Sequence, residues 1–386
     1  MSVPTVRLGE LIELSGREKV GARDIPIMSI TMRDGLIDQA ERFKKRIASS
    51  EISGYKYVAF NELVVGFPID EGVLGFQRRY PGAAVSPAYD VWRILDPDRV
   101  DISYLERYLR SPQAISAYQA RMRGAVSRRR VLTKDDFREI QVPMPPVQGQ
   151  RHIAAILDSA DALRAKRREV IAKLDELLQS VFVEMFGDPA RNPKGWPQKP
   201  LSELAKVQTG GTPPSSAAGV FDGPIPFVTP GDLGGVVAES RRTVTSDGAL
   251  LSRIAAAGST LVCCIGATIG KMGLVTRESA FNQQINSVTW HDQVDPVYGY
   301  HAMRFLGDEI AHQGASTTLP ILNKGKFEKL AIMAPAKGDQ EAFGRMAAAI
   351  ARQCNASARQ EAQLEQLFLS LQQKFFISEG QSCAAN

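Results

Sequence analysis

Few side chains in this sequence could do bond-making chemistry, and their spacing argues against most of it. The four cysteines, Cys263, Cys264, Cys354 and Cys383, include no pair with the two-residue gap that lets one turn present two thiolates to zinc. They read as reduced, structural thiols. The four histidines, His152, His291, His301 and His312, lack HExxH-like spacing, so a metal site or a histidine base has little material. There is no NPPY-like tetrapeptide for methylating a flipped base and no GxxxxGK[ST] phosphate loop. IGATIGKMG (265–273) has the wrong spacing, carries Met272 after its lysine, and reads as strand, turn and strand. TGGTPPSS (209–216) could touch a phosphate but reads first as a turn. The nearest nuclease-like acids, Asp232 and Glu239, precede Arg241 where a lysine is needed. These patterns predict no cofactor, no metal and no catalytic centre.

What remains is cationic and hydrogen-bonding chemistry. The net charge is +5, and the excess lies in two blocks: residues 1–147 carry 23 Lys+Arg against 19 Asp+Glu, and 188–335 carry 13 against 12. Residues 148–187 and 336–386 balance. Within 101–130, seven arginines (Arg107, Arg110, Arg121, Arg123, Arg128, Arg129, Arg130) face only Asp101 and Glu106. Such a window suits phosphate binding, although charge alone fits a solvated face equally well.

The elements that must position these groups form an internal repeat. LGEL at 8–11 is echoed by LSEL at 201–204, and LTKDDFREIQVPMPPVQGQ from Leu132 matches LNKGKFEKLAIMAPAKGDQ from Leu322 at an offset of 190. Lys134 thereby aligns with Lys324, Phe137 with Phe327, Pro145 with Pro335 and Gln150 with Gln340. The same offset continues into two runs with an apolar 4,3 spacing, the coiled-coil period. The first seam includes Ile153, Leu157, Ile171, Leu174, Leu178 and Val181; the second includes Phe343, Ile350, Leu364, Phe368, Leu371 and Phe375. Each run predicts a helix of ~36 residues, roughly 50–55 Å long. Both seams turn polar near the centre, at Arg164 and Arg167 and at Ser357 and Glu361, and antiparallel pairing would bring these residues together. An ordinary helical hairpin or oligomer zipper is the competing reading, disfavoured because a whole domain separates the two runs.

The chain of 386 residues exceeds the ~250–300 at which one core stops growing, and its 44% hydrophobic and 23% charged content is that of a folded globular protein. No apolar run reaches the ~18–20 residues of a membrane span, and MSVPTVRLGE does not read as a secretion signal, so a cytoplasmic location is expected. The globular blocks mix short β-rich runs (YKYVAF, ELVVGF, STLVCCI) with short helical ones and Gly/Pro turns, giving an α+β class. The expected layout is a first domain over 1–147, a long helix over 148–187, a linker over 188–195, a second domain over 196–335, a second long helix over 336–377 and a flexible tail over 378–386.

Taken together and in order, these strings resemble the specificity subunits of type I restriction–modification systems. The resemblance rests on the tandem layout, the PPxxxQ lead-in to the first helix (Pro145, Pro146, Gln150), the LDELLQSVFVEMFGDP ending of that helix, and the TGGTP, IGxxIGK and FNQQI series of the second block. The second lead-in departs from it, with Ala334, Pro335 and Ala336 in place of paired prolines. In the first block VLGFQRRYPGAAVSPAYDVW (73–92) stands where the second has its GKMG-to-FNQQI series, as expected if the blocks read different sequences.

The resemblance implies two tandem α/β target-recognition domains separated by two long antiparallel coiled-coil helices with pseudo-twofold symmetry. It also implies a non-catalytic subunit of a DNA methylation and restriction complex. Each domain would read one half of a bipartite site on double-stranded DNA. Its partners would be two methyltransferase (modification) subunits and two restriction (motor-nuclease) subunits, with no membrane. Because Arg, Lys and amides distinguish base edges while Thr and Lys favour phosphates, the DNA-contact candidates are Arg78, Arg79, Tyr80, Arg121, Arg123, Arg128, Arg129 and Arg130 in the first block. In the second they are Arg241, Arg242, Lys271, Thr317, Thr318 and Lys324. The alternatives are a specificity subunit serving a methyltransferase alone and, from another class, a coiled-coil scaffold that reads no sequence.

Overall fold

The computed structural model describes residues 3–16, 18–32, 35–42, 52–123, 131–214, 216–217, 219–314 and 320–376. The chain divides into two units, Met1–Arg168 with Arg359–Asn386, and Glu169–Ala358.

In the first unit an antiparallel sheet runs in the order Ile12–Leu14, Asp90–Ile94, Leu63–Val65, Leu74–Phe76. In the second, Ala205–Thr209, Ile285–Trp290, Thr260–Cys263 and Met272–Val275 follow the same order, and Val236–Val237 joins the last of them in parallel. A short antiparallel pair closes each unit at equivalent places: Thr5–Arg7 with Gln141–Pro143, and Gln198–Pro200 with Ala331–Met333. The repeat seen in scattered strings is thus a repeat of topology, including the first block's strands, where the sequence match fades.

The helix after each sheet is also duplicated. Asp101 caps Ile102–Leu109 by accepting from the Tyr104 N–H at 2.9 Å, and Asp295 caps Pro296–Phe305 by accepting from the Tyr298 N–H at the same distance. The hydroxyls of Tyr104 and Tyr298 donate to the Pro143 and Met333 carbonyls at 2.6 and 2.9 Å.

Two helices of 40 residues, Val147–Phe186 and Lys337–Phe376, follow these modules; each begins inside its lead-in motif, before the apolar seam. Gln150 and Gln340 explain why. Gln150 donates to the Pro145 and Arg99 carbonyls at 2.9 and 3.1 Å and accepts from the Asp101 N–H at 2.8 Å. Gln340 does the same with Pro335, Gln293 and Asp295 at 2.8, 3.3 and 2.8 Å. Each amide, only 1% exposed, joins the first helical turn to the capping Asp of its domain. Gly344, inside the second helix, permits close approach there: a Cβ would stand 3.2 Å from the Asp295 carboxylate.

The first helix ends at Gly187 in the left-handed conformation, φ 83°. Beyond it, the expected linker is a structured cap. The Lys194 ammonium donates to the Glu184 and Met185 carbonyls at 2.7 and 2.9 Å, and the Trp196 indole donates to the Phe186 carbonyl at 2.9 Å. The expected tail over 378–386 lies outside the described residues.

None of the twelve seam residues is exposed. Leu157, Leu178, Phe343 and Phe368 are buried, while Ile153, Ile171, Leu174, Val181, Ile350, Leu364, Leu371 and Phe375 are half-buried. Within the first unit the helix segments run antiparallel: Arg164 pairs with Glu365, and Arg168 with Glu361 at 2.9 Å. The polar centre of the seam is therefore an ion-pair ladder, and the partner of Arg164 lies one turn beyond the residue its position suggested. Its guanidinium also lies 4.4 Å over the Phe368 ring.

Three further buried helix residues stand outside the 4,3 series. Phe182, Phe186 and Phe376 are at most 2% exposed because they face domain cores. Phe186 meets Tyr298 at 4.8 Å between ring centroids, and Phe376 meets Tyr104 at 5.7 Å, edge-on in both units.

Candidate nucleic-acid interface

In the second unit, helices and helix segments cover one face of the five-stranded sheet, through Val207, Val262, Cys264, Met272 and Val288. The opposite face packs through Leu261, Cys263, Val275, Phe281 and Ile285. Loops at one end of the sheet are tied together by hydrogen bonds and close packing. Gly210 donates its N–H to the Ile285 carbonyl and Gly211 to the Phe281 carbonyl, both at 3.0 Å. A Cβ at Gly210 would fall 2.2 Å from the Asn282 carbonyl oxygen, so the TGG segment must be glycine to lie this close. The Ser252 hydroxyl fixes the segment further by donating to the Gly211 carbonyl at 2.7 Å.

Against this backbone sits a row of amides. Asn286 accepts from the Thr209 hydroxyl at 2.8 Å and donates to the Cys264 sulfur at 3.3 Å. Asn282 donates to the Gln284 side-chain oxygen at 3.1 Å and accepts from the Gln284 backbone N–H at 3.2 Å. The exposed Gln283 accepts from the Thr212 hydroxyl at 2.5 Å. Sequence reasoning quoted FNQQI and TGGTP without naming Gln283 or Thr212 as contacts. The adjacency of two glycines to hydroxyl and amide residues was the available signal.

Lys271 and Arg241 meet at the turn Pro230–Asp232: the Lys271 ammonium donates to the Pro230 carbonyl at 3.1 Å, and the Arg241 backbone N–H donates to Asp232 at 3.2 Å. Burial alone would raise the Asp232 pKa, but the Thr229 hydroxyl and N–H, with Arg241, outweigh it and hold the carboxyl below its ordinary value. Asp232 is thus committed as a cap. The Arg242 guanidinium carbon lies over the Phe221 ring, 4.5 Å from its centroid, and Lys324 pairs with Glu328 at 3.4 Å on a separate short helix. Thr317 and Thr318 lie outside the described residues.

In the first unit, Gln77 is fully buried and accepts from the backbone N–H groups of Arg79 and Tyr80 at 2.6 and 3.1 Å, shaping the loop that carries three candidates. Arg78 turns inward to Ser103 and Glu106 at 2.8 and 2.7 Å. Arg79 stacks 5.8 Å over Tyr80, whose hydroxyl donates to Asp38 at 2.6 Å. Burial raises the Glu106 pKa against the opposing pull of Arg78, Arg110 and Arg107. Arg78, Ser103, Glu106, Arg107 and Arg110 border a cleft of about 910 Å³ whose charges are largely paired within the unit, including Arg107 with Asp158 and Asp161 at 2.8 and 2.9 Å. Arg121 donates to the Ala117 carbonyl at 3.3 Å, and the exposed Arg123 pairs with Asp136 at 3.3 Å. Arg128, Arg129 and Arg130 lie outside the described residues.

Cys263, Cys264 and Cys354 are free thiols; burial, with Cys263 beside it, pushes Cys264 up to about 12. Among the described residues no group of three or more His, Cys, Asp or Glu is placed to hold a metal ion, and no helix is long and apolar enough to cross a membrane.

Residues 193–366, which contain the stiff loops and the amide row, match the family model of the type I restriction modification DNA specificity domain. That stretch is similar to this specificity-domain family. Among curated relatives it is 30% identical over 155 residues to the type I restriction enzyme HindI specificity subunit of Haemophilus influenzae, covering 38% of this chain and 33% of that one. It is 28% identical over 152 residues to the MjaIX specificity subunit of Methanocaldococcus jannaschii, covering 35% and 34%. The chain thus spans about a third of the length of the curated relatives it matches. In fold it is similar along 97% of its length to an S subunit from M. genitalium (TM-score 0.58, 13% identity, 96% of that chain). It is also similar to a chain of a type I R-M system (TM-score 0.57, 18% identity, 97% of both chains). The fold of these neighbours, mixed helix and strand with long helices, extends over both units here, and the first unit repeats the sheet order and glutamine staple of the second.

Proposed function

We propose that the chain is the DNA-reading subunit of a type I restriction–modification complex, with each unit reading one half of a bipartite duplex site. One observation carries this: the unit matching the DNA specificity domain has a counterpart of the same topology in the same chain, with different side chains on its loops. Two similar frames with unlike loops are what a split, asymmetric site requires.

The chain itself is non-catalytic in this reading, and methylation and cleavage belong to cytoplasmic modification and restriction subunits docked on it. Val170 and Leu177 support docking: 37% and 48% exposed, they stand seven residues apart on the second unit's part of the first long helix. That is an apolar stripe suited to a partner. Arg79, Arg121, Arg123, Lys271 and Arg241, with the undescribed Arg128–Arg130, are proposed as phosphate and base contacts. The long helices would set the spacing between half-sites.

The test is a footprint of the full chain co-purified with its modification subunits on genomic fragments. Two protected segments separated by an accessible gap are expected. Uniform protection regardless of sequence would leave a non-specific scaffold.

A further inference from the structure

The amides of the second unit's loop row differ in what they have left to offer. Asn282 and Gln284 engage each other, and Asn286 engages Thr209 and Cys264. Gln283 is exposed on the same turn, and the Thr212 hydroxyl donates to its side-chain oxygen at 2.5 Å. An amide held by its oxygen presents its NH₂ hydrogens outward. The backbone beneath cannot yield: the Gly210 approach to Asn282, the Gly211-to-Phe281 hydrogen bond and the Ser252 bond fix both strands of the loop. A pre-set group of this kind binds with little ordering cost.

We propose that Gln283, oriented by Thr212, is a phosphate anchor: its NH₂ donates to a backbone phosphate oxygen of duplex DNA and fixes the second unit's register without reading a base. The inference rests on the proposed function and adds the atom contacted. A phosphate oxygen only accepts, which matches the two NH₂ donors, whereas bidentate adenine reading also needs the amide oxygen, one of whose two acceptor sites Thr212 already takes. Thr212 is a positioning residue.

The experiment uses the full chain co-purified with its modification subunits, on one duplex carrying the methylated motif found in the host and one scrambled duplex, over a salt series. Gln283→Ala is expected to bind both duplexes about ten-fold more weakly, with an unchanged methylated motif and an unchanged salt slope, because a neutral donor releases no counterion. Thr212→Val should move in the same direction. Gln283→Lys should steepen the slope by about one, a gain that a folding defect cannot imitate. A methylated motif altered at one position would overturn the inference by making Gln283 a base reader. Unchanged affinity in the alanine variant together with an unchanged slope in the lysine variant would also overturn it. In either of those cases the proposed function stands; wild-type protein binding neither duplex would remove that function and this inference together.

Discussion

Replacing Gln340 with alanine should destabilise the second unit by about 3 kcal/mol, and Gln150→Ala should do the same to the first. Each amide makes three hydrogen bonds of 2.8–3.3 Å at 1% exposure, so water cannot replace the lost partner. At about 1 kcal/mol net per hydrogen bond, three bonds give the stated loss, and a unit of this size should melt roughly 6–12 °C lower. Glutamate at either position tests the direction of the bonds. A carboxylate cannot donate to the two carbonyls that face it, so burial beside them would raise its folded-state pKa. The stability of Gln340→Glu should therefore be greatest in acid and fall as pH rises through that pKa. Calorimetry and urea titration at several pH values give both readings. An alanine loss below about 1 kcal/mol, or a glutamate variant insensitive to pH, would refute the staple.

Three further outcomes are expected. His301 is 7% exposed; burial, reinforced by Arg304 and opposed by Asp175, lowers its pKa to about 4, so the unfolded chain takes up the proton first. Stability should then fall on acidification through the window from about 6.5 to 4, by about 2 kcal/mol at pH 5, and His301→Phe should flatten that slope in urea titrations. Ser357→Ala should be neutral or stabilising by up to about 1 kcal/mol in the same assay, because the Ser357 hydroxyl is buried with no hydrogen-bond partner among the described residues. Four residues inserted into both long helices, after Glu169 and after Arg359, should lengthen each by ~6 Å, or ~2 bp of duplex. Sequencing of methylated sites should then show unchanged half-sequences with a longer spacer; an unchanged spacer would reduce the helices to docking surfaces.

The long helices and the duplication were legible because a 4,3 apolar period and an offset of 190 are local patterns that survive divergence. The roles of Phe182, Phe186 and Phe376 were not, since the 4,3 pattern records the partner helix while these rings answer to a domain core. The PPxxxQ string was visible, but its purpose depends on Asp101 and Asp295, about 45–50 residues earlier in the chain. The candidate contacts were the least legible. Arginines were chosen by charge, yet Arg78, Arg123 and Arg242 are engaged by Glu106, Asp136 and Phe221, whereas the neutral Gln283 emerges only once the loop is closed.

The central claim, that one chain reads two half-sites, is tested most directly by methylome sequencing of a host expressing this chain with its modification subunits. The account predicts a methylated motif of two defined, unlike half-sequences separated by a fixed number of unspecified bases, absent when the gene is deleted. A continuous motif, or methylation unchanged by the deletion, would contradict it.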